Sequence, residues 1–389
     1  MELILVRDGS EIDENILNRV NIPKDLVINI NQKVLSNFVG LLVISNFRIL
    51  SIPKKMKIEN FKDFRSLEKY ILSVITKFYN TLSISSNLKD ELENVVPVDA
   101  ILNIIDYYRL FGIYKSIENH AKKNNGKRIS WNKTIIKSSK LISRNNLIFN
   151  DFYYFDSTEV ENFISDSMKF VINFAQNDMQ SLISFEPIIT NSIDLAKFSD
   201  SNLVVLRLMN LRSQIYNDRH RSLLNDLINF FSYLGRFKNE LRHLTKSFDY
   251  IWESAVHQYL NINFHLIDEV LDININEEIK FERQKKFNIG IGKNGPKNII
   301  VDHYFKNNNK HIIFDSKYYR NLTDIDYKQL SYHYLILAEE PLETTNTLVV
   351  PAESDKIEFF VHLDRRDIDG VVINELHIPV LDVLNSFLL

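Results

Sequence analysis

The chain has 389 residues, 45% hydrophobic and 25% charged, enough apolar side chain for a substantial core spread over two or three domains. It contains no cysteine, which excludes disulfides, thiolate metal sites and a cysteine nucleophile. A formal net charge of −3 argues against a surface that coats nucleic acid indiscriminately, so any binding of a polyanion has to be local.

From Met1 to about Ile58, short apolar runs alternate with turn signals such as Ser45-Asn46, and Pro53-Lys54-Lys55 closes the pattern; a small β-rich module is predicted over 1–59. The opening MELILVRDGSEIDE carries acids where a signal peptide needs bases, and no apolar run approaches the roughly 18 residues of a membrane span. A cytoplasmic protein without membrane contact is expected. Residues 60–245 read as mainly helical, over Phe64–Leu82, Asp99–Tyr114, Glu159–Ala175 and Leu203–Phe237, with a short β excursion at Leu147–Phe155.

The third stretch, 246–389, mixes both periods. Phe248, Ile251, Trp252, Ala255, Val256, Tyr259 and Leu260 recur on one helix face. Strands are predicted around Glu278–Phe287, on both sides of Asn307-Asn308-Asn309-Lys310, and at Thr347–Val350, Ile357–Leu363 and Val371–Val380. A second helix carries Tyr327, Leu330, Tyr334 and Ala338. The predicted fold class is mixed α+β, with a C-terminal α/β domain whose mixed sheet is flanked by helices.

Chemistry concentrates at IIVDHYFKNNNKHIIFDSKYY, Ile299–Tyr319. Pairing symmetric about the polar tip sets Lys306 opposite His311, Phe305 opposite Ile312 and Asp302 opposite Asp315. Opposed carboxylates roughly 5 Å apart repel by about 3 kcal/mol at an effective dielectric near 20. A divalent cation between them reverses that sign. Lys317 falls on the face of Asp315, roughly 6.6 Å along the strand, while Phe314 and Ser316 point the other way. Two acids and a lysine on one face are the equipment for phosphodiester hydrolysis: carboxylates hold Mg²⁺ (or Mn²⁺), the ion acidifies a water and neutralises developing charge, and the lysine orients the water or stabilises the transition state.

Acid-X-Lys triplets also occur at Glu278-Ile279-Lys280 and Asp326-Tyr327-Lys328, so it is the hairpin context that favours Asp315. Glu253 lies at the border of its helical stripe and reads either as a solvated glutamate or as part of a metal shell. Gln329 and Tyr332 sit beside the second stripe, where their polar tips are expected to meet a nucleic-acid backbone. His303 points away from the acids and reads as a packed or surface histidine. Asp218-Arg219-His220-Arg221 and Arg242-His243 read as charged turns and helix ends.

Between Ala121 and Arg144 lie Lys122, Lys123, Lys127, Arg128, Lys133, Lys137, Lys140 and Arg144 with no acid among them. The block either neutralises phosphates or forms a solvated face, and Trp131, Ile135 and Ile136 suggest that it is partly packed. Gly290, Gly292 and Gly295 lack the Lys-Ser/Thr ending of a phosphate loop, and no glycine-flanked serine supports a serine triad. The chain is not expected to hydrolyse nucleotides itself.

The order of helix with Glu253, strands, Asp302 strand, Asp315 strand and helix with Gln329 resembles the PD-(D/E)XK nuclease core, over about Lys246–Leu389. Within it, FDYIWE (248–253), FDSKYY (314–319) and KQLSY (328–332) are similar to LlaJI-type restriction endonucleases and the related McrC subunits. GKRISWNKTI (126–135) resembles the Gly-Lys-x-Ile-x-Trp-x-x-Thr-Ile signature of the LlaJI family, and Phe38-Val39-Gly40 with ILSIPK (49–54) resembles the N-terminal McrC pattern. The chain departs from the superfamily at Val301, where proline usually precedes the first acid, and at His333, where many relatives place the tyrosine found here at Tyr332. The resemblance implies a DNA-cleaving restriction subunit acting on double-stranded DNA with a separate McrB-like AAA+ GTPase, docked through the N-terminal half including Phe38–Lys55. A homodimer through the nuclease domain is a further expectation. Catalytic roles fall on Asp302, Asp315, Lys317, Glu253 and Gln329, metal ligation on Asp302, Asp315 and Glu253, and DNA contact on Lys122, Lys123, Lys127, Arg128, Lys133 and Tyr332. Two alternatives remain, a stand-alone repair or recombination nuclease and a DNA-binding scaffold with an inactive core.

Overall fold

The computed structural model describes residues 1–81, 95–143, 146–180, 188, 193–237, 240–271, 279–292, 295–307, 310–319, 327–340 and 342–389. The fold is mixed α+β, as expected. Contacts divide the chain into two compact units, one formed by Met1–Val96 with Glu240–Leu389, the other by Pro97–Asn239. These bounds differ from three consecutive domains at 1–59, 60–245 and 246–389. The reason is that the N-terminal strands complete their sheet and their core with residues from the far end of the chain.

In the first unit, β1 (Glu2–Arg7), β4 (Val39–Ile44) and β5 (Phe47–Ile52) join β11 (Leu241–Thr245) in a sheet of order β1-β5-β4-β11. β2 (Val27–Ile30) and β3 (Lys33–Ser36) pair separately. Ser45, with φ 53°, turns the β4–β5 hairpin at the expected place. β4 is apolar throughout because both its faces are covered: Val39 joins one core cluster and Leu42 another. Gly40 is required by close approach, since its φ is +127° and a Cβ there would stand 2.4 Å from the His243 carbonyl oxygen. The Phe38–Lys55 segment is therefore largely interior, with Phe38, Val39, Leu41, Leu42, Ile49, Leu50 and Ile52 buried. Within this segment the turn around Ser45-Asn46 is exposed.

The helix Phe64–Thr81 buries Leu67, Ile71, Ile75 and Phe78 in the same cluster as the helix Phe248–Leu271. All seven residues of the predicted Phe248–Leu260 stripe are buried. Arg48 and Glu68 tie the N-terminal sheet to the first of these helices in a bidentate pair, at 2.8 and 2.5 Å.

The second unit contains the helices Val98–Phe111, Phe163–Asp178, Ser201–Arg212 and Asp218–Arg236. The helix predicted as continuous over Leu203–Phe237 is two helices, because Asn217 caps the second one by accepting from the Arg219 and His220 amides. The unit is also richer in strand than expected. β6 (Ser116–Lys123), β7 (Arg128–Ile129) and β10 (Tyr153–Val160) form one sheet, and β8 (Lys140–Ser143) pairs with β9 (Asn146–Phe149). β6 is mostly exposed and shows no apolar alternation, so only its pairing with β10 reveals it.

The large sheet of the first unit has the order β12-β13-β14-β15-β17-β16. It comprises β12 (Glu282–Gly292), β13 (Gly295–Lys306), β14 (Lys310–Ser316), β15 (Glu343–Ala352), β16 (Glu358–Arg365) and β17 (Val371–Pro379). β12, β13 and β14 run antiparallel; β14 and β15 are parallel, joined through the helix Tyr327–Glu339, as a parallel pair requires a crossover. Ile312 and Phe314 face the Phe248–Leu271 helix, whereas Tyr304 and Ile313 pack with Tyr332 and Ile336. No helix among the described residues is long and apolar enough to cross a membrane.

Candidate active site

The β13–β14 hairpin has the register read from its symmetry, with His303 opposite Phe314, Phe305 opposite Ile312 and Lys306 opposite His311. Asn307 shapes the turn: its side-chain oxygen accepts from the Lys310 amide at 2.8 Å. Asp302 and Asp315 lie just beyond the last of these pairs, His303 and Phe314. There the Ser316 amide donates to Asp302 Oδ2 at 3.0 Å.

The two carboxylates share one face. Lys328 Nζ lies 3.2 Å from Asp315 Oδ1 and 3.9 Å from Asp302 Oδ1. Lys317 Nζ lies 2.7 Å from Asp315 Oδ2, as strand alternation predicted. Asp315 is fully buried. Burial, followed by the charge of Asp315, pushes the Asp302 carboxyl up to about 7; Lys328 opposes that rise and Glu253 adds to it. Two acids are thus held together by lysines against their mutual repulsion.

Glu253 is close enough to act on Asp302, yet its carboxylate is engaged elsewhere. Oε1 accepts from Arg283 Nη2 at 3.3 Å and from Gln284 Nε2 at 3.1 Å. Among the described residues, no three histidine or acidic side chains stand in metal-holding geometry. The expected three-carboxylate shell is therefore represented by a pair, with Glu253 beside it. Hard carboxylate oxygens that already attract an ammonium suit a cation such as Mg²⁺, so the residues present fit that ion.

Gln329 is completely buried, and among the described residues neither its Nε2 nor its Oε1 has a hydrogen-bond partner. Its main-chain carbonyl accepts from Asn346 Nδ2 at 2.8 Å. Tyr332 differs from expectation. It is fully buried and its hydroxyl donates to the Ile300 carbonyl, so it packs the helix on β13 and offers no surface to DNA. His303 is buried on the opposite face, where Nε2 lies 2.7 Å from Ser316 Oγ and Nδ1 lies 3.3 Å from His257 Nδ1; burial holds its imidazole well below the usual value. The rival triplets at Glu278 and Asp326 lie outside the described residues in their acid members. Lys328 is a residue of this cluster that the sequence reading does not single out, although it directly precedes Gln329 on the predicted helix.

In the basic segment, Lys122 pairs with Asp156, and Lys123 with Asp151 at 2.7 Å, both acids coming from the neighbouring 151–156 stretch that the linear reading could not place. Arg128 lies over the Phe155 ring at 5.8 Å, while Lys127 and Lys133 are exposed. Trp131, Ile135 and Ile136 are exposed as well, which corrects the view that they pack the segment inward. Arg144 lies outside the described residues. The GKRISWNKTI motif has a structural component. Gly126 adopts φ +151° where a Cβ would meet Tyr154 Cβ at 2.3 Å, and buried Thr134 accepts from the Tyr153 amide at 2.9 Å.

No protein-family model matches the chain, and no curated protein matches it. Solved structures with similarity include a half-complex from a tetradecameric assembly of Thermococcus gammatolerans McrB AAA+ hexamers with bound McrC, at 12% identity and a TM-score of 0.43, covering 99% of this chain and 98% of that one. A second is the Thermococcus gammatolerans McrBC complex, at 11% identity and a TM-score of 0.25, covering 58% of this chain and 79% of that one.

Proposed function

We propose that this chain is the DNA-cleaving subunit of a restriction system, hydrolysing phosphodiesters with Mg²⁺ at Asp302, Asp315 and Lys317. The observation that carries the reading is the convergence of Asp302, Asp315, Lys317 and Lys328 on one sheet face. The order of helix, three antiparallel strands, helix and parallel strand supports a PD-(D/E)XK core. A divalent cation held by the two aspartates supplies Lewis acidity toward phosphate and water. Asp315, buried against Lys317, fixes that lysine where its ammonium orients the attacking water or meets negative charge building on the phosphate. The Ser316 amide holds Asp302 in place, and Gln329, next to Lys328 on the same helix, is proposed to lend its buried amide, which has no hydrogen-bond partner among the described residues.

An McrB-like AAA+ GTPase is the proposed partner, on the motifs shared with LlaJI-type and McrC subunits and in keeping with the absence of a phosphate loop from this sequence. A cytoplasmic location and action on double-stranded DNA belong to the same proposal. Lys127 and Lys133, exposed in the basic segment, are the proposed phosphate contacts. The inactive-scaffold reading is disfavoured because Lys328 reaches both aspartates, which it cannot do if they lie on opposite faces.

The test is Mg²⁺-dependent cleavage by the purified chain with and without the GTPase and GTP, comparing wild type with Asp315→Ala and Lys317→Ala. Loss of cleavage in both variants is expected. If both cut as well as wild type, the assigned site is wrong; robust cutting without partner or GTP indicates a stand-alone nuclease.

A further inference from the structure

We propose that the N-terminal sheet positions the catalytic end of β14 through a latch of Asp8, Lys54 and Tyr318. The inference rests on the reading of Asp315 and Lys317 as the cleavage site, and it makes Lys54 and Asp8 positioning residues.

Tyr318 directly follows Lys317 and is buried. Two groups of Lys54 hold it through three contacts. The Lys54 amide donates to the Tyr318 hydroxyl at 2.8 Å, the ammonium donates to the Tyr318 carbonyl at 3.2 Å, and the same ammonium lies 4.4 Å from the ring centroid. Asp8 completes the group, with Oδ2 at 3.7 Å from Lys54 Nζ and its carboxylate acting electrostatically on the Tyr318 hydroxyl. On its other side the Tyr318 ring meets Phe248 at 5.1 Å and Trp252 at 6.4 Å.

The location gives these contacts their meaning. Asp8 and Lys54 follow the ends of the parallel neighbours β1 and β5, and the Asp8 amide donates to the Ile52 carbonyl at 2.9 Å, so the two residues are fixed relative to each other. The Lys317 amide donates to the Val349 carbonyl at 2.8 Å, and Tyr319 is already exposed. Lys317 thus sits between the last main-chain bond to β15 and the latch. A phenylalanine would fill the space of Tyr318 equally well; the hydroxyl, the ammonium and the carboxylate add direction, which a buried polar network supplies and apolar packing does not. Displacing a catalytic group by about 1 Å can cost on the order of 100-fold in rate. The Pro-Lys ending of the N-terminal motif is accordingly explained by what it does to the nuclease strand.

Full-length Lys54→Met and Tyr318→Phe variants test this. Hydrogen exchange is expected to rise about 10-fold or more over Asp315–Tyr319 while protection elsewhere is retained. Cleavage should lose about 10-fold or more in kcat with KM for DNA within about 2-fold, and Lys54→Arg should recover most of the loss. The latch is overturned if exchange at Asp315–Tyr319 is unchanged in both variants, if both cleave at the wild-type rate, or if both lose protection throughout the chain. If wild type itself cleaves nothing with partner and GTP, the nuclease reading fails, and the latch is judged on the exchange data alone.

Discussion

Replacing Asp302 by asparagine should stabilise the metal-free protein while abolishing cleavage. Asp302 is held at about 7 against an ordinary value of 3.8, with burial the larger cause and Asp315 the next. Because the folded value lies above the unfolded one, the contribution of this carboxyl to stability is fully present below about pH 4 and is lost as pH rises through about 7. At pH 8 the ionised group costs up to about 4 kcal/mol, at about 1.4 kcal/mol for each tenfold change in proton affinity. Asparagine removes the charge and keeps an oxygen to accept the Ser316 amide. Relaxation and the nearby ammonium groups reduce the expected gain to roughly 1–3 kcal/mol. Urea denaturation in EDTA at pH 8 and pH 5 measures it: the variant should exceed wild type at pH 8 and by less at pH 5. Added Mg²⁺ should stabilise wild type and leave the variant unmoved. An Asp302→Asn protein no more stable than wild type at pH 8 would refute the picture of a strained carboxylate pair.

Gln329→Leu should keep stability within about 1 kcal/mol, since it replaces an amide without a partner among the described residues, but should lower cleavage about 10-fold or more, read as kcat. Gly40→Ala should cost about 3 kcal/mol or more, seen as a lowered melting temperature or insoluble expression, because the new methyl meets the His243–Leu244 backbone within 2.5 Å. Lys127→Ala with Lys133→Ala should flatten the salt dependence of DNA binding by up to about 2 in the log–log slope, measured by fluorescence anisotropy. Lys122→Ala should change it less, because Asp156 already offsets that charge.

The hairpin around Asp302 and Asp315 was legible because a polar tip and a strict period of two leave one symmetric register, and Lys317 followed from alternation alone. The Phe248–Leu260 stripe was legible for the same kind of reason, a helical period with no polar interruption. Long-range pairing was not. Nothing near Phe38-Val39-Gly40 indicates that β11, some two hundred residues on, will pass close enough to require glycine. Lys122 and Lys123 looked like a bare cationic run because Asp151 and Asp156 approach only once β6 and its partner strand pair. Tyr332 and Gln329 stood near the border of one helical stripe, and periodicity cannot say which side chain turns fully inward. Helical periodicity puts Glu253 on the helix Phe248–Leu271, but its engagement with Arg283 and Gln284 depends on where β12 lands.

The split composition of the first unit sets an order of events during synthesis. β4 emerges early, yet the edge it offers to β11 stays open until residues 241–245 have left the ribosome, and the strands that carry Asp302 and Asp315 follow still later. Meanwhile Pro97–Asn239 is complete and can fold as a unit in the interval. A nascent chain therefore carries a strongly apolar strand that is paired with β5 on one side and open on the other for much of its translation, a window in which aggregation or chaperone capture competes with folding. The Asp302–Asp315 pair, with Lys317 and Lys328 around it, can come together only after residues 302–328 have been made, so the proposed cleavage site is absent from shorter nascent chains.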